Sequence, residues 1–312
     1  MAKNRQGCKD QPGARDTEAL RRHLLARFDD ALSQPLRPGL YVVATPIGNL
    51  ADLTLRAITV LARVDIVYCE DTRHSRRLLE QYGLSRDLRS FHEHNEEREL
   101  PRVLGELAAQ KSVALISDAG TPLVSDPGFK LVREAAAQGY NVISIPGPSA
   151  PIAALACSGL PTDRFLFAGF LPPKSSARRA SLAELAKVSA TLAFFEAPSR
   201  VAETLVDMAD VLGPDRDAVI ARELTKLHEE IRRARLGELA ATVANGELRG
   251  EFVVLVGPPV AAEISDEQIL AQLEAALVRM SVRDASREVA EALGVPRTRV
   301  YDLALKLKRG AQ

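Results

Sequence analysis

Residues 40–52, LYVVATPIGNLAD, form an apolar run that ends in a small residue and then meets Pro46, Gly48 and Asn49. The run reads as a buried strand, and the proline and glycine after it force a turn. Asp52 and Thr54 offer an N-cap to an amphipathic helix over 55–61. Residues 113–128, VALISDAGTPLVSDPG, repeat the design, with Asp118, Gly120, Thr121, Pro122, Ser125, Asp126 and Gly128 following the strand. Residues 141–150, NVISIPGPSA, repeat it again and end on Ser149 as a helix cap. Small residues at strand ends let main-chain N–H and C=O groups approach a ligand closely. Three such ends imply one shared crevice at the carboxyl edge of a sheet, where open α/β sheets hold ligands. The chain has no GxGxxG fingerprint and no GxxxxGK[ST] loop, so neither a dinucleotide nor a triphosphate is the natural ligand.

The elements that must hold these loops alternate along the chain. Over residues 38–160, strands are expected at 40–45, 65–70, 88–92, 113–117 and 141–145, with helices between. That alternation predicts an α/β domain with a mainly parallel sheet covered on both faces. Residues 161–258 form a second α/β domain, with strands at 165–171, 191–196, 218–223, 229–236 and 251–257. Its last strands lie close together with little helix between, which predicts a mixed sheet. The cleft between the two domains is the expected ligand site. Residues 259–312 are a third, helical unit. Within 281–305 a helix, the turn Leu293-Gly294-Val295-Pro296 and a second helix make a helix-turn-helix pattern. Residues 1–37 are an N-terminal extension in which Leu20, Leu24, Phe28 and Leu32 recur every four residues. That spacing predicts one amphipathic helix after a disordered start, a dispensable extension because its arginines alternate with acids.

Composition bounds the function. With 312 residues, 46% of them hydrophobic, the chain can build two or three cores. Cys8, Cys69 and Cys157 have neither CxxC nor metal-ligand spacing, so no disulfide framework and no metal site is expected; Cys69 and Cys157 read as core residues. The apolar runs are too short to span a bilayer, and the first residues lack a hydrophobic signal core, which predicts a cytoplasmic protein. The formal net charge is zero, so any nucleic acid must be bound by local patches.

Six ordered stretches carry a resemblance: TPIGNLADLT (45–54), CEDTRHSRRLL (69–79), HEHNE (92–96), SDAGTPLVSDPG (117–128), PGPSA (146–150) and ARELTK (221–226). Together they resemble the signature set of the tetrapyrrole (corrin/porphyrin) methylase superfamily, over about residues 40–257 and again in the tail. Within it they are most similar to the branch that methylates the ribose 2′-oxygen of a decoding-region cytidine in 16S rRNA. The resemblance implies two α/β domains with the cofactor cleft between them, S-adenosylmethionine as cofactor, 16S rRNA or the 30S ribosomal subunit as partner, and a homodimer. Matched position by position, it implies cofactor contacts from Pro46, Gly48, Asp118, Gly120, Thr121, Pro122, Ser125, Ser149, Ala150, Phe195 and Glu223. An activated methyl group leaves the protein mainly to hold the reactants in line and exclude water.

A ribose hydroxyl is a poor nucleophile at neutral pH, so a proton acceptor is needed. Glu70, Asp71, Glu93, Glu196 and the histidines of HEHNE are candidates. Asp71 is the first choice because it follows a buried strand and has Arg73 beside it to engage a phosphate; it could equally only cap the helix that starts near Thr72. His92 and His94 could stack on RNA but read as loop residues. Cations for RNA come from Lys174, Arg178 and Arg179 in LPPKSSARRA (171–180), expected to be a flexible basic loop. Arg297, Arg299, Lys306, Lys308 and Arg309 add a basic C-terminus.

The chain departs from the family pattern at Ser199, where relatives often place histidine, and at Arg233, where glycine is common. Arg233 therefore alters a turn or adds an RNA contact. A tetrapyrrole C-methyltransferase of cobalamin or sirohaem synthesis is the alternative reading. TPIGNL in place of a GxGDP-type loop argues against it. A non-catalytic ribosome-binding protein on the same scaffold is the third, and intact cofactor loops argue against that.

Overall fold

The computed structural model of this chain describes residues 13–243, 249–259 and 264–310. Short apolar runs become strands β1 (Gly39–Val43), β2 (Ile66–Cys69) and β4 (Ser112–Ile116), buried on both faces, with the half-buried β3 (Leu88–Ser90) and the partly exposed β5 (Val142–Ile145) at the sheet's edges. They pair in the order β3-β2-β4-β1-β5, and every pairing is parallel. Alternate residues serve opposite cores. Tyr41, Val67, Cys69, Ala114 and Ile116 pack on one face; Leu40, Ile66, Tyr68, Val113 and Leu115 pack on the other.

Helix α1 (Gly13–Ser33) precedes this sheet, and α2 (Leu55–Leu61), α3 (Thr72–Gln81), α4 (Glu96–Ala108), α5 (Phe129–Ala137) and α6 (Ala150–Ser158) follow strands within and after it. Thr54 caps α2, its side chain accepting from Ala57 N at 3.1 Å. The chain leaves β2 toward the β3 edge and leaves β4 toward the β5 edge. The adjacent ends of β2 and β4 are therefore a topological switch point, where an open sheet leaves a crevice.

The second sheet comprises β6 (Phe165–Phe170), β7 (Thr191–Glu196), β8 (Asp217–Arg222), β9 (Glu230–Arg235) and β10 (Phe252–Val256), ordered β6-β7-β10-β8-β9. Only β6 and β7 run parallel, so the sheet is mixed, as the close spacing of its last strands predicts. Helices α7 (Ser175–Leu185), α8 (Val201–Leu212) and α9 (Leu236–Val243) cover one face. The other face packs Ala193, Val219 and Val253 against Ile47 and against Ala154 and Leu155 of α6, which joins the two sheets.

Two compact units divide the chain, one reaching Pro259 and one beyond it, and both sheets fall in the first. The second unit holds α10 (Asp266–Leu277), α11 (Val282–Leu293) and α12 (Arg297–Gly310) around Ile269, Leu273, Val289, Val300 and Ala304. Gly294 ends α11 in the left-handed conformation, the turn expected there. No described helix is long and apolar enough to cross a membrane.

Three local expectations need correction. The basic stretch 171–180 is no loop, because α7 begins at Ser175. Cys157 is exposed, while Cys69 is buried. The extension folds as the expected helix, yet Leu20 and Leu24 stay exposed and only Phe28 and Leu32 are half-buried. The expected disordered start, residues 1–12 with Cys8, lies outside the described residues.

Candidate active site

The three strand-end loops are tied to one another. Thr45 N donates to Gly120 O at 2.8 Å and Gly120 N donates back to Thr45 O at 3.1 Å. Thr121 Oγ1 donates to Pro148 O at 3.0 Å, bringing in the loop after β5. Gly120 sits at φ +85°, and a Cβ there would lie 3.3 Å from Ile47 Cγ2. Leu123 and Ser125 also adopt left-handed φ values, of 71° and 67°. Such backbone costs about 1–3 kcal/mol per residue and clusters where ligands bind.

These loops open on a cavity of ≈ 420 Å³ between the two sheets. Asp118, Gly120, Thr121, Ser125, Ser149, Ala150 and Phe195, all expected at the cofactor site, line it. Ser149 occupies the N-cap position of α6 without making a capping bond, so its hydroxyl is not used by the helix. The remaining wall includes Ile47, Phe170, Leu224 and Val253, an apolar surface contributed largely by the second sheet. Position-wise matching missed these because their only sequence signal is strand or strand-end placement.

Charge is what distinguishes this cavity. Glu70, Asp118, Asp126, Glu196 and Glu251 line it, and among the described residues no Lys, Arg or His does. Glu70 follows β2 and Asp118 follows β4, so both stand at the switch point; Asp118 Oδ1 accepts from Asp71 N at 3.3 Å. Burial, reinforced by the charges of Asp126 and Asp118, pushes the Glu70 carboxyl up to about 7. Burial likewise raises Asp126 to about 6. Glu196 is occupied: its oxygens accept from Ala197 N and Thr204 Oγ1 at 2.7 Å each and pair with Arg200 at 2.7 Å.

Several expected site residues lie elsewhere. Pro46 and Gly48 line only an adjoining cavity, while Ile47 between them lines both. Pro122 and Glu223 line neither. Glu223, at φ 51°, is turned toward Lys226 Nζ at 2.9 Å, which holds its carboxyl below the usual range. Asp71 takes the capping role rather than the cavity: it accepts from Arg73 N at 2.7 Å and pairs with the Arg73 guanidinium at 3.2 Å. Those bonds from Arg73 lower its pKa, which makes it a weak proton acceptor.

The expected RNA cations also divide. Arg178 is 1% exposed, with Nε 2.6 Å from Asp207 Oδ2, so it clamps α7 to α8 and cannot reach a phosphate. Arg179 pairs with Asp207 at 3.1 Å and Asp210 at 2.9 Å. Although burial opposes it, hydrogen bonds from Arg178, Arg179 and Ser175 keep Asp207 below the usual range. Arg299 is held by Asp266 at 2.7 Å and by Ile264 O at 2.9 Å, a tie inside the helical unit. Lys174 and Arg297 are exposed, and Arg73 is exposed despite its pairing with Asp71. Arg309's side chain lies outside the described residues.

Arg233 sits in regular pairing on β9, and Nε donates to Ser158 O at 3.0 Å, with Cys157 O also bonded. It closes the carboxyl end of α6, and the regular pairing of β9 shows no changed turn there. Ser199 is exposed and does not line the cavity, while His92 and His94 form an edge-to-face pair at 5.8 Å. Among the described residues no group of three or more His, Cys, Asp or Glu is placed to hold a metal ion.

A family model of tetrapyrrole (corrin/porphyrin) methylases matches residues 39–240, and one described as the RsmI C-terminal HTH domain matches residues 263–308. A ribosomal RNA small subunit methyltransferase I from Mesorhizobium japonicum is 51% identical over 277 residues, covering 88% of this chain and 94% of that protein. The chain belongs to this methyltransferase family. Members from Pseudomonas aeruginosa and Escherichia coli O157:H7 are 48% and 43% identical, over 96% and 94% of their lengths. Among solved structures, the family's fold is shared by the methyltransferase CobJ, with TM-score 0.54 and 20% identity over 70% of this chain and 94% of that one. It is also shared by a Thermus thermophilus uroporphyrin-III C-methyltransferase complexed with S-adenosylhomocysteine, with TM-score 0.50 and 22% identity over 70% and 97% of the chains.

Proposed function

We propose that this chain transfers a methyl group from S-adenosylmethionine to the ribose 2′-oxygen of a cytidine in the decoding region of 16S rRNA. Its family is that of the small-subunit rRNA methyltransferases, and the observation that carries the reading is the charge of the main cavity. Of the five lining carboxylates, Glu196 pairs with Arg200 and Glu251 with Lys226, and the remaining Glu70, Asp118 and Asp126 suit a ligand that is itself cationic. The cavity's ≈ 420 Å³ fits a ligand of nucleoside size, and Gly120 leaves its main chain bare for close approach. Apolar Ile47, Ala150, Phe195, Leu224 and Val253 suit a purine, and the Ser149 hydroxyl suits a polar tail. When bound, the cofactor supplies an electrophilic methyl on a positively charged sulfur.

The chain's own work is to position, exclude water and accept a proton. In this reading Asp118, Gly120, Thr121, Ser125, Ser149, Ala150 and Phe195 bind the cofactor. Glu70 replaces Asp71 as proton acceptor for the 2′-hydroxyl: it lines the cavity, and its pKa of about 7 matches neutral-pH general-base work. Of the cations expected to meet RNA phosphates, Lys174, Arg297, Lys306 and Lys308 stay exposed, as does Arg73 despite its pairing with Asp71. A homodimer belongs to the same reading, supported by apolar side chains exposed on edge strands, Val142 on β5 and Phe165 on β6.

The test is to map 2′-O-methyl groups on 16S rRNA from cells with and without the gene, and to restore the mark with purified protein and 30S subunits. One cytidine should lose and regain its mark. Identical maps, with methyl transfer to a uroporphyrin-type substrate instead, would replace the reading by the tetrapyrrole alternative.

A further inference from the structure

A second cavity of ≈ 530 Å³ adjoins the first and shares Ile47, Asp118, Ala119 and Glu251 with it. One of its walls is a single face of α3, on which His74, Arg77, Leu78 and Gln81 recur at i, i+3, i+4 and i+7. Leu50 and Lys226 also line it. Lys226 is neutralised, with Nζ 2.9 Å from Glu223 and 3.1 Å from Glu251, and its stem crosses Gly48 so closely that any Cβ there would collide. Arg77 is exposed and has no acidic partner among the described residues.

The two cavities differ in their unshared walls. Glu70, Asp126 and Glu196 line only the first, whereas the second adds to the shared Asp118 and Glu251 the Arg77 guanidinium, an imidazole and an amide beside apolar Ile47, Leu50 and Leu78. Apolar surface for a base, with a guanidinium for its phosphate, is how proteins hold an unstacked nucleotide. Methyl transfer requires donor and acceptor to meet, and the shared wall is where ligands of the two cavities can touch. We propose that the second cavity receives a nucleotide of the single-stranded RNA substrate, with Arg77 engaging its phosphate. This rests on the functional reading above and assigns to the substrate the Pro46–Gly48 loop that family matching gives to the cofactor.

The experiment compares the full chain with Arg77→Gln, Leu50→Trp and Arg76→Gln. Arg76 is exposed on the same helix but lines neither cavity, so it is the matched control. Anisotropy of a labelled cytidine-containing single-stranded RNA gives affinity as a function of salt. Calorimetry gives S-adenosylmethionine affinity, and 30S methylation gives KM and kcat. Arg77→Gln should weaken RNA binding about tenfold and flatten the log–log salt slope by about one unit. Leu50→Trp, which fills the cavity from an exposed position, should weaken RNA binding without that flattening. Neither should move cofactor affinity, and Arg76→Gln should move nothing. Wild-type RNA affinity and salt slope in both cavity variants overturn the proposal, and so does failure of the wild-type chain to bind RNA. A parallel loss of cofactor affinity overturns it too, by placing the cavity in the cofactor site. If the wild type binds the RNA through Arg77 yet leaves 16S rRNA unmarked, the functional reading fails and the nucleotide site stands.

Discussion

Replacing Glu70 by Gln should make the protein more stable and less active at the same time. The carboxyl rises from 4.5 to about 7 chiefly because burial disfavours its charge. A group whose pKa is higher folded than unfolded contributes stability that is full below about 4.5 and is lost as pH climbs through about 7. At ~1.4 kcal/mol per pH unit that rise is worth up to ~3 kcal/mol, and partial solvent contact reduces it to ~1–2 kcal/mol. Glutamine keeps the shape and removes the charge, so Glu70→Gln should gain ~1–2 kcal/mol over wild type near pH 8 and little near pH 4.5. Urea midpoints of both proteins across that range give the double difference, which cancels the titration of carboxylates not coupled to Glu70 and leaves its own burial together with its coupling to Asp126 and Asp118. In the same preparations kcat should fall by roughly 100-fold, and the wild-type pH–rate profile should rise to a plateau above about pH 7. A variant less stable than wild type at pH 8, or one with undiminished kcat, refutes the reasoning. Asp71→Asn is the contrasting control and should leave kcat unchanged.

Gly120→Val should abolish S-adenosylmethionine binding by calorimetry, because φ +85° is strained for valine and its Cβ would press on Ile47; retained affinity would move the cofactor away from this loop. Arg178→Gln should destabilise the first unit by about 3–5 kcal/mol, since it strands buried Asp207 without its main partner. Urea unfolding reads that cost, and the salt slope of RNA binding should stay at the wild-type value; a flattened slope would return Arg178 to the RNA-binding set.

The centre of the first sheet was legible because β1, β2 and β4 are buried on both faces and so read as unbroken apolar runs, while the edge strands β3 and β5 carry weaker patterns closed by local turn residues. The capping of α2 by Thr54 and the turn at Gly294 were equally local and equally legible. What local sequence could not show was pairing across space. Arg178 looked like a loop cation because its partner, Asp207, stands on the next helix, 29 residues on. Arg233 looked like a departure because the α6 carbonyls it closes lie 75 and 76 residues earlier. The cofactor loops were found, but not which wall of which cavity each residue faces. Pro46 and Gly48 flank Ile47 in sequence and yet only Ile47 reaches the main cavity, and Asp71 follows Glu70 and yet turns away into a helix cap. Motif matching resolves loops, whereas cavity assignment needs the direction of each side chain.

The acid lining of the main cavity also bears on turnover. Methyl transfer removes the positive charge from the cofactor's sulfur, so the carboxylates not held by a basic side chain, Glu70, Asp118 and Asp126, attract the fresh cofactor more strongly than the spent one. Carboxylates that help draw the reactant in thereby loosen their hold as soon as the reaction is done. Product inhibition is eased without any moving part, and the chemical step itself becomes the signal for exchange.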